Sequence, residues 1–447
     1  MQLFEKLIEY PEAERLVIES TPRLPVGETP LGEALGLALA RDLTATTDSP
    51  PFDNSAVDGY AVRSRDARVG RVFDVVDEAP AGRPATKSVG EGEAIKIFTG
   101  GVIPDGADAV VMVENTSGWG ETFELKRVPA PGNNLRAAGE DTRRGDVILR
   151  AGTEVGAPEI ALAATQGYGT LPVYRRPKVV VLSTGTELVE PGTRDLAPGE
   201  IFDSNSYAIV AAAREAGAEA RRLYAASDEA DTLREAIEEA LVTADVVVTS
   251  GGVSVGEKDL VKSTMLDLGV EQVFWGVKFK PGKPLFYGTR GETRLFGLPG
   301  NPVSAMVCFD LFVRPALMEM TGRGDRGRPR IQVYFEKAIV NKFGGLHAMR
   351  VSLKRTQKGW LAESVGAQGS GLVSSLTRAD ALALIGPASE GIPAGEPIEA
   401  IVLRQEKLQE AAGFGSSLMP EARNPLSQAG GPGVVEFEPD VRDRPRR

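Results

Sequence analysis

Residues 245–259 read DVVVTSGGVSVGEKD. The β-branched run from Asp245 to Thr249 suits a strand buried on both faces, where apolar residues run on without alternating. It gives way to Ser250, the glycine pair Gly251 and Gly252, then Ser254, and finally a lysine between two carboxylates, the second of them Asp259. Taken alone, Gly-Gly only makes a tight turn. Its neighbours decide otherwise.

Working outward, PKVVVLSTG (177–185) is a second strand that ends in polar residues, and SNSYAIVAAAREAG (204–217) is a helix with a polar start and a glycine stop. ARRLYAAS follows as a strand and EADTLREAIEEAL as a helix, before the opening stretch itself. A helix from Asp259, the strand VEQVFWGVKF and a long helix after Pro302 complete residues 177–326. Strand and helix alternate at the spacing of βαβ units, which predicts a doubly wound parallel sheet with helices on both faces. The carboxyl ends of such strands are the usual ligand sites.

Three loops leave this predicted rim. LSTGTEL presents Thr184, Gly185 and Glu187; TSGGVSVGEKD presents Ser250, Gly251, Gly252, Ser254 and Asp259; GLPGNPVSA presents Pro299, Gly300, Asn301 and Pro302 at the start of a helix. Glycines let the backbone approach a ligand, and amides at helix starts hold phosphate. Three such loops on one rim point to a ligand site. A fourth, KFKPGKP, sets Lys280 and Lys283 on either side of a Pro-Gly turn, with Lys278 just before. In a chain of net charge −11, that places an anion site inside the same block. The acids Asp58, Asp141, Glu187, Asp228 and Asp259 suit magnesium or acid–base work beside phosphate, although each alone also suits a surface charge or a helix cap.

The flanks differ in texture. Residues 1–45 and 146–176 space apolar residues at three and four, as in FEKLIEY, EAERLVIES, TPLGEALGLALARDL and VGAPEIALAATQGYG, and read as one helical region split by an insert. Residues 46–145 are glycine-rich with short β-branched runs, a β-rich insert. Within it PPFDNSAVDGYAVR (50–63) reads as a structured polar loop. Residues 327–405 carry short strands of a small sheet or barrel, and 406–447 have the composition of a disordered tail.

Composition removes several functions. One cysteine, Cys308, and one histidine, His347, exclude disulfides, thiolate clusters, a multi-histidine zinc site and a Ser-His-Asp triad. The acidic balance argues against a general nucleic-acid binder, and no apolar run approaches the ~20 residues of a membrane span. The start MQLFEKLIEYPEAERL lacks the basic-then-apolar pattern of a secretory signal, so a cytoplasmic home is expected.

The segments PPFDNSAVDGYAVR, IFTGGVIPDGADAVVM, GEDTRRGD, STGTEL, FDSN, TSGGVSVGEKD, KPGKP and GLPGNPVSA occur in this order. Together they closely resemble the molybdopterin molybdenumtransferase family, that is, the MoeA proteins and the related E domain of gephyrin and plant molybdenum insertases. The resemblance covers roughly residues 1–405 and implies a homodimer of four-domain subunits. Its split first domain serves dimerisation, its third resembles the MogA-like molybdopterin adenylyltransferase fold, and its fourth is a small β-barrel. The implied reaction takes adenylated molybdopterin and molybdate, inserts the metal at the dithiolene and releases AMP with magnesium. Lys280, Lys283, Ser304, Arg350 and Ser370 correspond to oxyanion-binding positions. Asp58, Thr99, Asp141, Glu187, Asp228 and Asp259 fall on positions associated with activity, Gly100 follows Thr99 in the substrate loop, and Asp228 and Asp259 are the expected magnesium ligands. Asp58 and Thr99 are expected to face the active cleft of the partner subunit, and a molybdopterin adenylyltransferase is the expected transient partner. A tungstate-inserting relative, an adenylyltransferase and a non-catalytic molybdopterin-binding scaffold are the competing readings.

Overall fold

The computed structural model describes residues 7–225, 230–252, 260–323, 327–410 and 435–436. Contacts divide the chain into two compact units, residues 1–26 with 174–447, and residues 27–173.

In the first unit, helix α1 (Tyr10–Ser20) starts with Pro11 in its first turn and buries Tyr10, Ala13 and Val17. Tyr10 meets Phe312 edge-on at 5.6 Å. The helical spacing expected through residue 45 ends there. Residues 26–30 are extended, and Leu31–Glu33 make a single 3-10 turn. Further on, Leu39 donates its amide to the Thr153 carbonyl. LGLAL at 35–39 suits an extended chain as well as a helix, with Leu37 and Leu39 buried while Leu35 is 59% exposed. Gly32 and Gly36 weaken a helix further, and Gly36 has φ +73°.

The second unit holds a five-stranded sheet of β1 (Gly59–Val62), β2 (Val72–Ala79), β3 (Glu93–Ile97), β4 (Ala109–Met112) and β5 (Thr122–Glu124), in the order β4-β1-β3-β2-β5. A separate core joins Leu37, Leu39 and Leu43 to Val155, Leu171, Val173 and Ala163 of helix α2 (Ala157–Thr165). Residues on both sides of the insert therefore share one core.

The α/β region of the first unit is built on β6 (Lys178–Thr184), α3 (Asn205–Glu215), β7 (Glu219–Ala225), α4 (Ala230–Thr243), β8 (Val246–Ser250), α5 (Leu260–Asp267), β9 (Glu271–Trp275), β10 (Phe279–Lys280), β11 (Phe286–Arg290), β12 (Thr293–Leu298) and α6 (Pro302–Cys308). A π turn at Phe309–Val313 leads into α7 (Arg314–Met320). The sheet order is β7-β6-β8-β12-β11-β9. Four neighbouring strands are parallel as expected; β11 is reversed and pairs antiparallel with both β12 and β9, so that β9 runs with the other four. Only Gly291 and Glu292 separate β11 from β12, too few for a parallel crossover. Alternation along the strands separates the two cores. Val179, Val181, Val246 and Val248 pack with α3 and α6, whereas Val180, Leu182 and Val247 pack with α4 and α5.

The C-terminal region contains β13 (Arg330–Tyr334), β14 (Ile339–Asn341), β15 (Leu346–Thr356), β16 (Gly359–Ser364), β17 (Ala381–Ile385), β18 (Ala388–Ile392) and β19 (Ile398–Val402). Pairings β15-β16-β13-β19-β17 return to β15 and close a small barrel. Of the expected tail, Glu406–Glu410 form a helical turn and residues 435–436 pair with β14. No described helix is long and apolar enough to cross a membrane.

Candidate functional site

The carboxyl ends of β6, β8 and β12 come together because the three strands are neighbours in register, Ser183 beside Ser250 and Ser250 beside Leu298. The Gly251 amide donates to the Leu298 carbonyl at 3.1 Å. Gly251 and Gly252 hold φ +91° and +66°, and a Cβ on Gly252 would fall 2.3 Å from Val261. Glycine is required there by conformation and by space. A Cβ on Gly251 would meet the Thr184 carbonyl at 3.3 Å, and one on Gly300 would lie 3.7 Å from the Gly251 Cα. The structure thus brings together Thr184, Gly185, Ser250, Gly251, Gly252 and the Pro299–Pro302 turn. Glu187 is exposed on the loop after β6.

Asn205 ties this rim and had not been singled out. Its Nδ2 donates to Ser250 Oγ and to the Gly300 carbonyl, both at 2.8 Å. Buried Asp203 accepts the Ser206 amide at 3.1 Å and the Ser206 hydroxyl at 2.5 Å, which fixes the start of α3. The polar run Asp203-Ser204-Asn205 just ahead of the apolar-spaced helix is the available signal.

A second cluster lies where the α/β sheet meets the barrel. β10 pairs in parallel with β15, which sets Lys280 beside His347. Three residues on, Arg350 is fully buried, with Nη2 donating to the Gly369 carbonyl at 3.2 Å. Its Nε and Nη1 have no partner among the described residues. The Val303 amide, in the first turn of α6, donates to the Ser370 carbonyl at 3.0 Å. Buried Ser304 follows Val303, and Cys308 lies one turn on. Glycine is required at 282, because a Cβ there would fall 2.4 Å from Phe279 and 2.6 Å from Cys308 Sγ. The expected oxyanion residues Lys280, Ser304, Arg350 and Ser370 are therefore assembled. Lys283 is exposed on the same turn, and Lys278 pairs with Glu9 at 2.9 Å.

Electrostatics favour an anion here. Burial pulls the Arg350 guanidinium down to about 10, still charged near neutrality. Burial, then the Lys280 and Arg350 charges, pushes His347 down to about 3, so the imidazole is neutral. Burial raises the Cys308 thiol well above its usual range. The pocket holds two cations and an unpaired guanidinium edge, a donor set suited to a tetrahedral dianion.

In the second unit, Thr99 donates both its amide and its hydroxyl to Asp58 Oδ1 at 2.8 Å. These bonds hold the exposed carboxyl below its ordinary range. Asp58 precedes Gly59, where a Cβ would land 1.9 Å from the Val111 carbonyl oxygen. Ser55 is clamped to Gly100 and Gly101 by bonds of 2.8 and 3.0 Å, so the polar loop is structured. Asp141 is exposed, its amide bonded to the Ser49 carbonyl at 2.9 Å. Asp228, Asp259 and Ser254 lie outside the described residues. Among the described residues no three acids, imidazoles or thiols cluster as a metal site.

An α/β domain with a glycine-lined rim, a buried cationic cluster against a β-barrel and a β-rich insert together define a multidomain α/β and β protein. Family models match along the chain: MoeA N-terminal region (domain I and II) at 8–167, a probable molybdopterin binding domain at 180–319, and MoeA C-terminal region (domain IV) at 333–403. The molybdopterin molybdenumtransferase of Bacillus subtilis is 36% identical over 389 residues, 85% of this chain and 90% of that protein. Molybdopterin molybdenumtransferase 2 of Mycobacterium tuberculosis is 38% identical over 345 residues, 74% of this chain and 84% of that protein. Two structures of MoeA proteins from Pyrococcus horikoshii share 32% and 31% identity, with TM-scores of 0.76 and 0.72. Both cover 89% of this chain, and 99% and 100% of their own. The chain belongs to the MoeA family.

Proposed function

We propose that the protein is a molybdenum insertase that transfers molybdate into adenylated molybdopterin and releases AMP. The observation that carries this reading is the buried, half-unpaired guanidinium of Arg350, bonded to the Gly369 carbonyl just ahead of Ser370 and three residues past His347, the strand partner of Lys280. A buried donor without an acceptor is costly, and an oxyanion would satisfy it. The names of the relatives agree with molybdenum as the metal. Tungstate has the same shape and charge, so the site fits it equally.

In this reading the glycine rim and Asn205 bind the pterin and its phosphate, while Arg350, Lys280, Ser304 and Ser370 hold the oxyanion. His347 stays neutral, so it adds no repulsion toward the lysine and does not compete for the anion as a further cation. Attack by water on the adenylyl phosphorus breaks its bond to the bridging oxygen, and AMP departs; where a molybdate oxygen attacks instead, that oxygen stays on AMP and its bond to the metal breaks as the dithiolene sulfurs take the metal. The two dithiolene thiols take the metal, and their protons leave with one molybdate oxo group as water. The sulfurs belong to the substrate, so a chain with one buried cysteine suffices. Holding the oxyanion near them is the main catalytic device. Magnesium, when bound, would offset phosphate charge, and Asp228 and Asp259 are the residues we assign to it. A homodimer that turns Asp58 and Thr99 toward the partner's cleft is part of the proposal, as is delivery by an adenylyltransferase.

The test is AMP release from adenylated molybdopterin with magnesium, titrated with molybdate and separately with tungstate. Wild type should release AMP only with oxyanion, and Asp58→Ala and Lys280→Ala should each abolish release. Tight binding of the substrate with no release under any condition would leave the non-catalytic scaffold instead.

A further inference from the structure

In the second unit a column of aromatic rings runs from the core to the surface. Phe73 stacks on Phe123 at 5.3 Å, Phe123 on Tyr60 at 4.0 Å, Tyr60 meets Trp119 at 5.2 Å, and Trp119 stacks near-parallel on Phe98 at 5.7 Å. Phe73, Phe123 and Tyr60 are buried, but Trp119 at the outer end is 47% exposed. A tryptophan on a hairpin tip is ordinarily free to turn. This one is clamped: the Tyr60 hydroxyl donates to the Gly118 carbonyl at 3.1 Å and accepts the Gly120 amide at 3.0 Å. The Lys96 ammonium, paired with the half-exposed Glu78 carboxylate at 3.4 Å, stands 5.0 Å from both the Phe98 and the Trp119 ring centres, so a phosphate there would compete with Glu78 for it. Phe98 is fixed by the turn that follows it, with the Gly101 amide on its carbonyl at 2.8 Å. The next residue, Thr99, holds Asp58 through Oδ1.

From this arrangement we propose that Trp119 and Phe98 form a stacking platform for a planar, amino-bearing nitrogen heterocycle that carries a phosphate. The indole supplies the stacking face, Lys96 supplies positive charge for the phosphate, and the exposed Asp58 carboxylate accepts from the ring's amino group. A stacking face is indifferent to which heterocycle lies on it, so selectivity falls to Asp58 and Lys96. The choice of ligand rests on the insertase reading, whose substrate carries two such rings, an adenine and a pterin.

The chain has three tryptophans. In a Trp275→Phe/Trp360→Phe background Trp119 is the sole tryptophan, and excitation at the red edge, where tyrosine does not absorb, reports on it alone. AMP, a phosphorylated pterin and ribose 5-phosphate are titrated separately, without molybdate or turnover. Quenching by AMP or by the pterin, and not by the ring-less phosphate, is expected, and the arm that quenches names the ring. By calorimetry, Trp119→Ala should weaken that ligand about tenfold or more, while Trp119→Phe stays within about threefold. Absence of ring-dependent quenching, or unchanged affinity in Trp119→Ala, overturns the platform. AMP release that proceeds unaltered in Trp119→Ala removes the platform and leaves the insertase, whereas ring binding without any AMP release does the reverse.

Discussion

Arg314 and Arg350 are both buried arginines of the first unit, 6% and 0% exposed, but they keep opposite company. The Arg314 Nε donates to Asp310 at 2.9 Å, and the same carboxylate oxygen accepts Arg328 Nε at 2.8 Å. Arg350 meets a single backbone carbonyl through its side chain and leaves two nitrogens without partners among the described residues. A satisfied guanidinium belongs to the scaffold. An unsatisfied one is held in readiness for an acceptor the chain does not supply.

The largest test of that contrast is stability. Asp310→Ala leaves Arg314 and Arg328 only the exposed Glu215 carboxylate, at 3.5 Å from each, and should cost about 3 kcal/mol in urea unfolding. Arg350→Met removes a charge with no carboxylate to miss it, and should change stability by less than about 1 kcal/mol while lowering molybdate-dependent AMP release about 100-fold or more. If both variants lose stability alike, Arg350 is structural and the contrast breaks.

Ligand linkage sharpens it next. Molybdate at 100 times its dissociation constant should stabilise the wild type by about 2.7 kcal/mol. Thermal unfolding of Arg350→Met should show no molybdate effect, and a full shift in that variant would place the anion elsewhere.

Acid titration probes the same pocket. His347 is held near 3 in the folded chain, so below its unfolded value of 6.5 the unfolded state binds the extra proton. Stability should therefore fall as pH drops from 6.5 toward 3, by up to about 1.4 kcal/mol per unit, with no contribution above 6.5. His347→Gln should flatten that slope in unfolding series at successive pH values. Arg350→Met should flatten it in part, because one of the charges that depress the imidazole is gone.

The smallest effect is at the rim. Asn205→Ala removes two hydrogen bonds and should cost about 1–2 kcal/mol. The molybdate shift should survive it, since Asn205 ties the glycine loops and not the oxyanion pocket. Losing that shift would merge the two clusters into one.

The glycine loops were legible because conformation alone demands glycine at 251 and 252. β12 was less so. LFYGTRGETRLFGL carries a two-residue hairpin between apolar runs, and a reading that passes over it runs from β9 straight to the long helix and leaves a wholly parallel sheet. Arg350 was out of reach of residue-level reading. β15 is buried on both faces around it, from His347 to Val351, so HAMRV shows no alternation that would mark an inward charge. Its role entered only through the family resemblance, and its missing partners depend on α6 and the 368–370 loop, far away in sequence. Residues 35–45 failed as a helix because leucine at every second position fits both periods.

The ladder between residues 43–44 and 147–149 has a consequence of another kind. Thr44 faces Val147 and Leu43 faces Leu149, so the hundred or so residues between them leave and rejoin their supporting core on adjacent strands. An excursion whose two ends meet across one ladder is topologically a long hairpin loop. Such a loop can be shortened to a turn, exchanged between homologues or grafted whole without re-threading the chain, which makes residues 46–145 a natural unit of recombination.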